Sequence, residues 1–213
     1  MTRFGRLVPA LAAALVAPGA ALAHPHVWIA ARATVLFDKE GRIEGVRHVW
    51  TFDEMYSAFA TQGLGQDGKP PTREELAPLA RTNMESLVEF DYFTFAKDGS
   101  RKLEFAGPKD FHLDADARKI VSLEFTLPLK APVAAKTYSF QVYDPTYFVA
   151  FGFEKQTPVA LQGAPAGCSV SIVEPAPLMA SESKKLSDAK TENFSPGADI
   201  SMRLAPRVVV ACP

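Results

Sequence analysis

From Pro25 to Phe37 the chain alternates with a period of two. Pro25, Val27, Ile29, Ala31, Ala33, Val35 and Phe37 fall on one face, and His24, His26 and Trp28 on the other. A helix, with 3.6 residues per turn, would scatter those positions, so the run reads as a strand with its odd-numbered face buried. Asp38-Lys39-Glu40-Gly41 is a turn. Residues 42–52 follow as a second strand, with Val46, His48, Trp50 and Phe52 sharing a face. The two strands read as a β-hairpin.

The pattern then becomes helical. Residues 53–62 begin with Asp53 and Glu54, acids of the kind favoured at helix N-termini, and Gly63 and Gly65 stop them. A second helix starts near Thr72. Thr72 and Glu75 have capping-box spacing, and Leu76, Leu79, Ala80, Met84, Leu87 and Val88 form an apolar stripe. Beyond residue 90 strands return, at 91–97, 102–106, 119–129, 137–143, 147–153, 157–162, 168–174 and 206–212, and a polar stretch at 180–199 reads as a short helix and loop. The expected fold is mainly β (α+β). It is a single β-sandwich-like domain over 24–213, with a helical hairpin inserted at about 53–88 that resembles a degenerate EF-hand.

Residues 1–23 read as a cleaved signal peptide. Arg3 and Arg6 are its positive end, Leu7 to Val16 its apolar run, and Ala21-Leu22-Ala23 its cleavage site. The apolar run is too short to span a bilayer, and no other stretch is long or apolar enough, so no stable membrane insertion of the mature chain is expected. The 190 remaining residues carry 21 basic and 24 acidic side chains and no basic cluster, which argues against a nucleic-acid partner. Cys168 and Cys212 are the only cysteines. In an oxidising compartment an even pair reads as one disulfide; a thiolate metal or redox site is the alternative, and CxxC spacing is absent.

Cleavage after Ala23 would make His24 the first residue. Its amine and imidazole would form a chelate, with His26 as a further nitrogen ligand for zinc, nickel, cobalt or copper. Pro25 has no amide proton, so the square-planar copper mode that deprotonates residues two and three is blocked. The hairpin brings residues near 26 opposite residues near 52, which would carry Asp53 and Glu54 toward the histidines as carboxylate ligands. Plain helix capping by those acids, and a mobile polar terminus, are the alternatives. His48 and Asp144 stand one step back, as residues able to orient a ligand histidine. His48 alone would more often be a hydrogen-bonded core residue, and Tyr143-Asp144-Pro145 is equally a plain β-turn. His112 reads as a surface-turn histidine.

Gly63 to Glu74 has the length and the helix–loop–helix setting of a calcium loop. Asp67 falls at position 5, Gly68 at the turn position 6 and Glu74 at position 12. Glycines at positions 1 and 3 and a proline at 9 remove the other ligands, so calcium is not expected and the loop reads as vestigial.

Five segments carry a resemblance: His24-Pro25-His26-Val27-Trp28; Trp50-Thr51-Phe52-Asp53-Glu54-Met55-Tyr56-Ser57; Glu89-Phe90-Asp91-Tyr92-Phe93; Tyr143-Asp144-Pro145-Thr146-Tyr147-Phe148; and Gly163-Ala164-Pro165-Ala166-Gly167-Cys168. Together they resemble a bacterial family catalogued as a domain of unknown function. Its members are often labelled the periplasmic component of an uncharacterised ABC-type transport system. The resemblance implies a periplasmic protein partnered with an inner-membrane transporter, and association with nickel/cobalt or zinc transport. The expected function is therefore a transition-metal-binding accessory protein of such a system. The alternative is a solute-binding or protein-interaction subunit without metal. No Gly-x-Ser-x-Gly or His-Glu-x-x-His motif is present, so an enzyme is not expected. A copper oxygenase built on a terminal-histidine brace is the one enzymatic reading left.

Overall fold

In a computed structural model, which describes residues 25–134, 136–179 and 198–213, two β-sheets pack face to face. The long alternating strand is there as β1 (Val27–Phe37), paired antiparallel with β2 (Ile43–Phe52). The first sheet runs β5 (Lys109–Ala115), β6 (Val121–Val133), β2, β1 and β8 (Val149–Phe153), with β9 (Val159–Gln162) also on β1. One edge of β1 is thus shared by two short parallel strands, β8 along Val27–Ala31 and β9 along Ala33–Leu36. The second sheet is antiparallel throughout, in the order β10 (Ser169–Val173), β11 (Arg207–Ala211), β7 (Thr137–Val142), β3 (Thr94–Asp98) and β4 (Arg101–Leu103). Mainly β with an α+β character is the class that results.

The alternation explains the sandwich. Ile29, Ala31, Ala33 and Val35 of β1, with Val46, His48, Trp50 and Phe52 of β2, are buried on the inner face of the first sheet. Tyr138, Phe140 and Val142 of β7, with Val208 and Val210 of β11, face them from the second. Aromatic rings fill the space between the layers: within the first sheet His48 stacks on Phe125 at 5.1 Å, toward the second it meets Phe140 edge-on at 6.1 Å, and Trp50 lies 6.4 Å from Phe93.

Helix α1 (Glu54–Ala60) follows β2 directly, and α2 (Arg73–Leu87) continues through a 3-10 segment (Val88–Phe93) into β3. The capping box forms as the sequence predicts. Glu75 donates its backbone N–H to the Thr72 hydroxyl (3.2 Å), and the Thr72 N–H donates to the Glu75 carboxylate (2.8 Å). Leu76, Ala80 and Met84, one turn apart, bury the stripe, and α2 lies over β5. The third described helix, α3 (Ala198–Leu204), leans on β7, where the Gln141 side-chain amide donates to the carbonyls of Met202 and Ala205, both at 2.9 Å. Cys168 and Cys212 form a disulfide just beyond the paired ends of β10 and β11, where Ser169 faces Ala211. No described helix is long and apolar enough to cross a membrane. The expected leader at 1–23, His24 and most of the stretch at 180–199 lie outside the described residues.

Two expectations change. The strand expected at 91–97 begins three residues later, because Asp91, Tyr92 and Phe93 have φ of 51°, 52° and 49°, which no strand allows. His112 is in strand β5 and not in a turn. That strand is hard to see in sequence because only Leu113 is fully buried, where it meets Leu123 of β6, while α2 covers the edge.

Candidate functional site at the start of the first strand

The hairpin register decides what surrounds His26. Ile29 faces Phe52, so the strand pair ends where Trp28 meets Asp53. The Asp53 backbone N–H donates to the Trp28 carbonyl (3.0 Å), and the Trp28 N–H donates to Asp53 Oδ2 (2.8 Å). Asp53 Oδ1 accepts the Tyr56 N–H (2.8 Å) and caps α1. Each carboxylate oxygen thus accepts one backbone bond and keeps one lone pair. The sequence predicts residues near 26 opposite residues near 52; the observed register pairs Phe52 with Ile29 and sets Asp53 beside Trp28, a shift of three residues along β1. Glu54 is exposed in the first turn of α1.

A loop from the far side of the domain closes this end. The Asp144 carboxylate is 2% exposed and accepts four bonds: from the Thr146 N–H (2.7 Å) and hydroxyl (2.8 Å) at Oδ1, and from the Phe148 and Val149 N–H groups (both 3.0 Å) at Oδ2. The loop so shaped presents the Phe148 carbonyl to the His26 N–H at 2.8 Å, and the His26 ring packs against Phe148 at 4.9 Å. Asp144 therefore positions His26 through the backbone. It does not accept a histidine N–H as the sequence suggested, because its four lone-pair sites are taken.

His48 also departs from the orienting role. It is 0% exposed on the inner face of β2, whereas His26 precedes the outward-facing Trp28, so the first sheet separates the two rings. Its Nε2 lies 3.3 Å from the Thr94 hydroxyl and its Nδ1 has no partner. Burial pushes its pKa down to about 3, so it is a neutral core imidazole.

The helical loop is held from within by a side chain of α2. Glu75, one residue past the assigned position 12, turns back into the loop and accepts the Gly65 N–H (3.3 Å) as well as that of Thr72, which holds its pKa below the usual carboxylate range. Glu74 stays exposed on α2, and Asp67 stands at an exposed turn tip with Gly68, both at positive φ. The Glu75 carboxylate thus ties the start of this loop, at Gly65, to its end, at Thr72.

Among the described residues no three His, Cys, Asp or Glu side chains come together as a metal-binding group. His24 is outside that set. An acid–histidine cluster also forms at the edge of the first sheet. His112 Nε2 lies 3.2 Å from Asp114 and 3.9 Å from Glu124, and Arg73 forms a two-pronged pair with Asp114. It ties α2 to the sheet edge, and nothing in the local pattern signals it because Arg73 is 41 residues from Asp114.

Residues 9–212 match the family described as a protein of unknown function, DUF1007. The chain belongs to this family. An uncharacterised protein of Haemophilus influenzae is 27% identical over 158 residues, covering 72% of this chain and 74% of that protein. An uncharacterised 15.5 kDa protein encoded in the trpE 3′ region of Spirochaeta aurantia is 35% identical over 96 residues, covering 44% and 67%. The family match takes in every element that builds this end of the domain: β1, β2, α1 and the Asp144 loop.

Proposed function

We propose that this chain is an exported accessory protein that binds a divalent transition metal at its mature N-terminus. It would serve an inner-membrane transporter of zinc, nickel or cobalt from the periplasm. The observation that carries this reading is the Asp53–Trp28 junction. It fixes a carboxylate with a spare lone pair on each oxygen two residues from the exposed His26, and His24 is the second residue before His26 in the chain. The Cys168–Cys212 disulfide supports an oxidising compartment.

The test uses mature protein purified without an N-terminal tag. Intact mass should show His24 as the first residue, and elemental analysis about one divalent ion per chain. His26→Ala should weaken binding about tenfold or more, as loss of one of a few ligands does. Unchanged affinity in protein lacking both His24 and His26 would overturn the proposal.

A second reading has its own observation. Trp28, Phe148, Met55 and Phe59 are 50%, 46%, 64% and 76% exposed, all within a few residues of this junction. Large apolar side chains left in water mark contact surfaces. A solute-binding or protein-interaction subunit without metal would use them. Such a protein would retain partner capture after His24 and His26 are removed and lose it on Trp28→Ala.

A further inference from the structure

The outer face of the second sheet, on the other side of the core from His26, carries a groove of about 800 Å³. Its floor is aromatic: Phe95 of β3 stacks on Tyr143 just after β7, ring centres 4.4 Å apart. Gln141 lies in the same row as Phe95 and Arg207, and α3 forms one wall through Met202. Burial raises the Tyr143 pKa, with a smaller push from Asp199 on α3, so the phenol stays protonated and able to donate.

The cations around this floor are the unexplained part. Lys97 of β3 and Lys102 of β4 are directly opposite each other on the same face. Like charges so placed destabilise a strand pair. Neither forms an ion pair with any described residue, nor does Arg207 at the other end of the row. The neighbouring acids do not relieve them: Glu104 holds Lys130 at 2.7 Å and Asp98 holds Arg101 at 2.8 Å, which leaves Asp91 as the remaining acid lining the groove. Two lysines set against each other beside a stacked aromatic pair suit an anion with a ring. Such a ring would pack against the Phe95–Tyr143 pair while its acidic group sits between Lys97 and Lys102.

We propose that this groove binds a sugar-sized ring carrying one acidic group, phosphate or carboxylate. The site is separate from the histidine end and stands or falls independently of the metal reading.

Calorimetric titration of the mature protein with glucose 6-phosphate, glucuronate, glucose and inorganic phosphate tests it. At least one acidic sugar should bind tenfold or more tightly than either glucose or phosphate alone, and which one binds separates a phosphate site from a carboxylate site. Lys97→Gln with Lys102→Gln should weaken that binding by roughly a hundredfold or more, the loss of two charge-assisted bonds. Phe95→Ser should erase the preference over inorganic phosphate. Lys102→Gln should also raise the melting temperature of the ligand-free protein, a signature a purely structural lysine would not give. No binding of either acidic sugar at millimolar concentration, or equal affinity in the double lysine variant with its circular dichroism unchanged, would overturn the proposal.

Discussion

His48 makes the stability of this domain depend on pH in a calculable way. The imidazole is buried between the sheets, against Phe125, Phe140 and Trp50, and its pKa falls from 6.5 to about 3. In the unfolded chain the same group takes up a proton near pH 6.5. The unfolded state therefore binds more protons than the native state between those two values, and stability falls as the pH drops through that window. The slope is about 1.4 kcal/mol per pH unit, so moving from pH 7.5 to 5.0 costs about 2 kcal/mol through His48 alone. The loss levels off near pH 3, where the native ring protonates too. His48→Leu removes the titrating group, and Thr94 keeps its bond to the Tyr92 carbonyl at 2.9 Å. Urea unfolding of both proteins at several pH values isolates the effect, because the carboxylates contribute equally to each. The wild type should lose about 2 kcal/mol more than His48→Leu between pH 7.5 and 5.0. Parallel stability curves would refute the argument that this ring is neutral and dry in the native state.

Asp144→Ala removes the acceptor of four hydrogen bonds at a 2% exposed site. It should cost roughly 3–5 kcal/mol and speed amide hydrogen exchange at Phe148, Val149 and His26. Exchange unchanged at those three amides would contradict the loop's role in placing His26. Cys168→Ser with Cys212→Ser opens a loop with a sequence separation of 44 and should lower unfolding free energy by about 4 kcal/mol on the chain-entropy account, read as a shift in the denaturant midpoint. Asp53→Ala deletes the α1 cap and orphans the Trp28 N–H, a loss of roughly 2 kcal/mol by the same assay. Asp53→Asn, which keeps an acceptor toward Tyr56, should lose less stability than Asp53→Ala. In the metal assay it should still weaken binding.

What the sequence determined by itself is largely local. The period-two run at 25–37 and the faces of β2 and β7 specify which side chains are buried, because strand geometry sends alternate residues to opposite faces whatever the rest of the fold does. The Thr72–Glu75 box and the acids at 53 and 54 mark two helix starts through bonds that reach only three residues. The cysteine pair is legible from its even count and the absence of CxxC spacing.

The tertiary structure decided the rest, because the contacts involved are far apart in the chain. Which strands flank β1 on its second edge depends on parallel partners more than a hundred residues away, and no alternation encodes that choice. β5 is a strand because β6 pairs with it and α2 covers it, although its own residues are mostly charged or exposed. His48 and His26 look like neighbours in a histidine-bearing hairpin, yet pleating places them on opposite sides of the sheet. Glu75, not Glu74, closes the helical loop, since the capping box turns its carboxylate inward. The candidate metal end shows both levels: its histidines are plain in the sequence, and only the register, with the Phe148 carbonyl held by Asp144, sets what stands beside them.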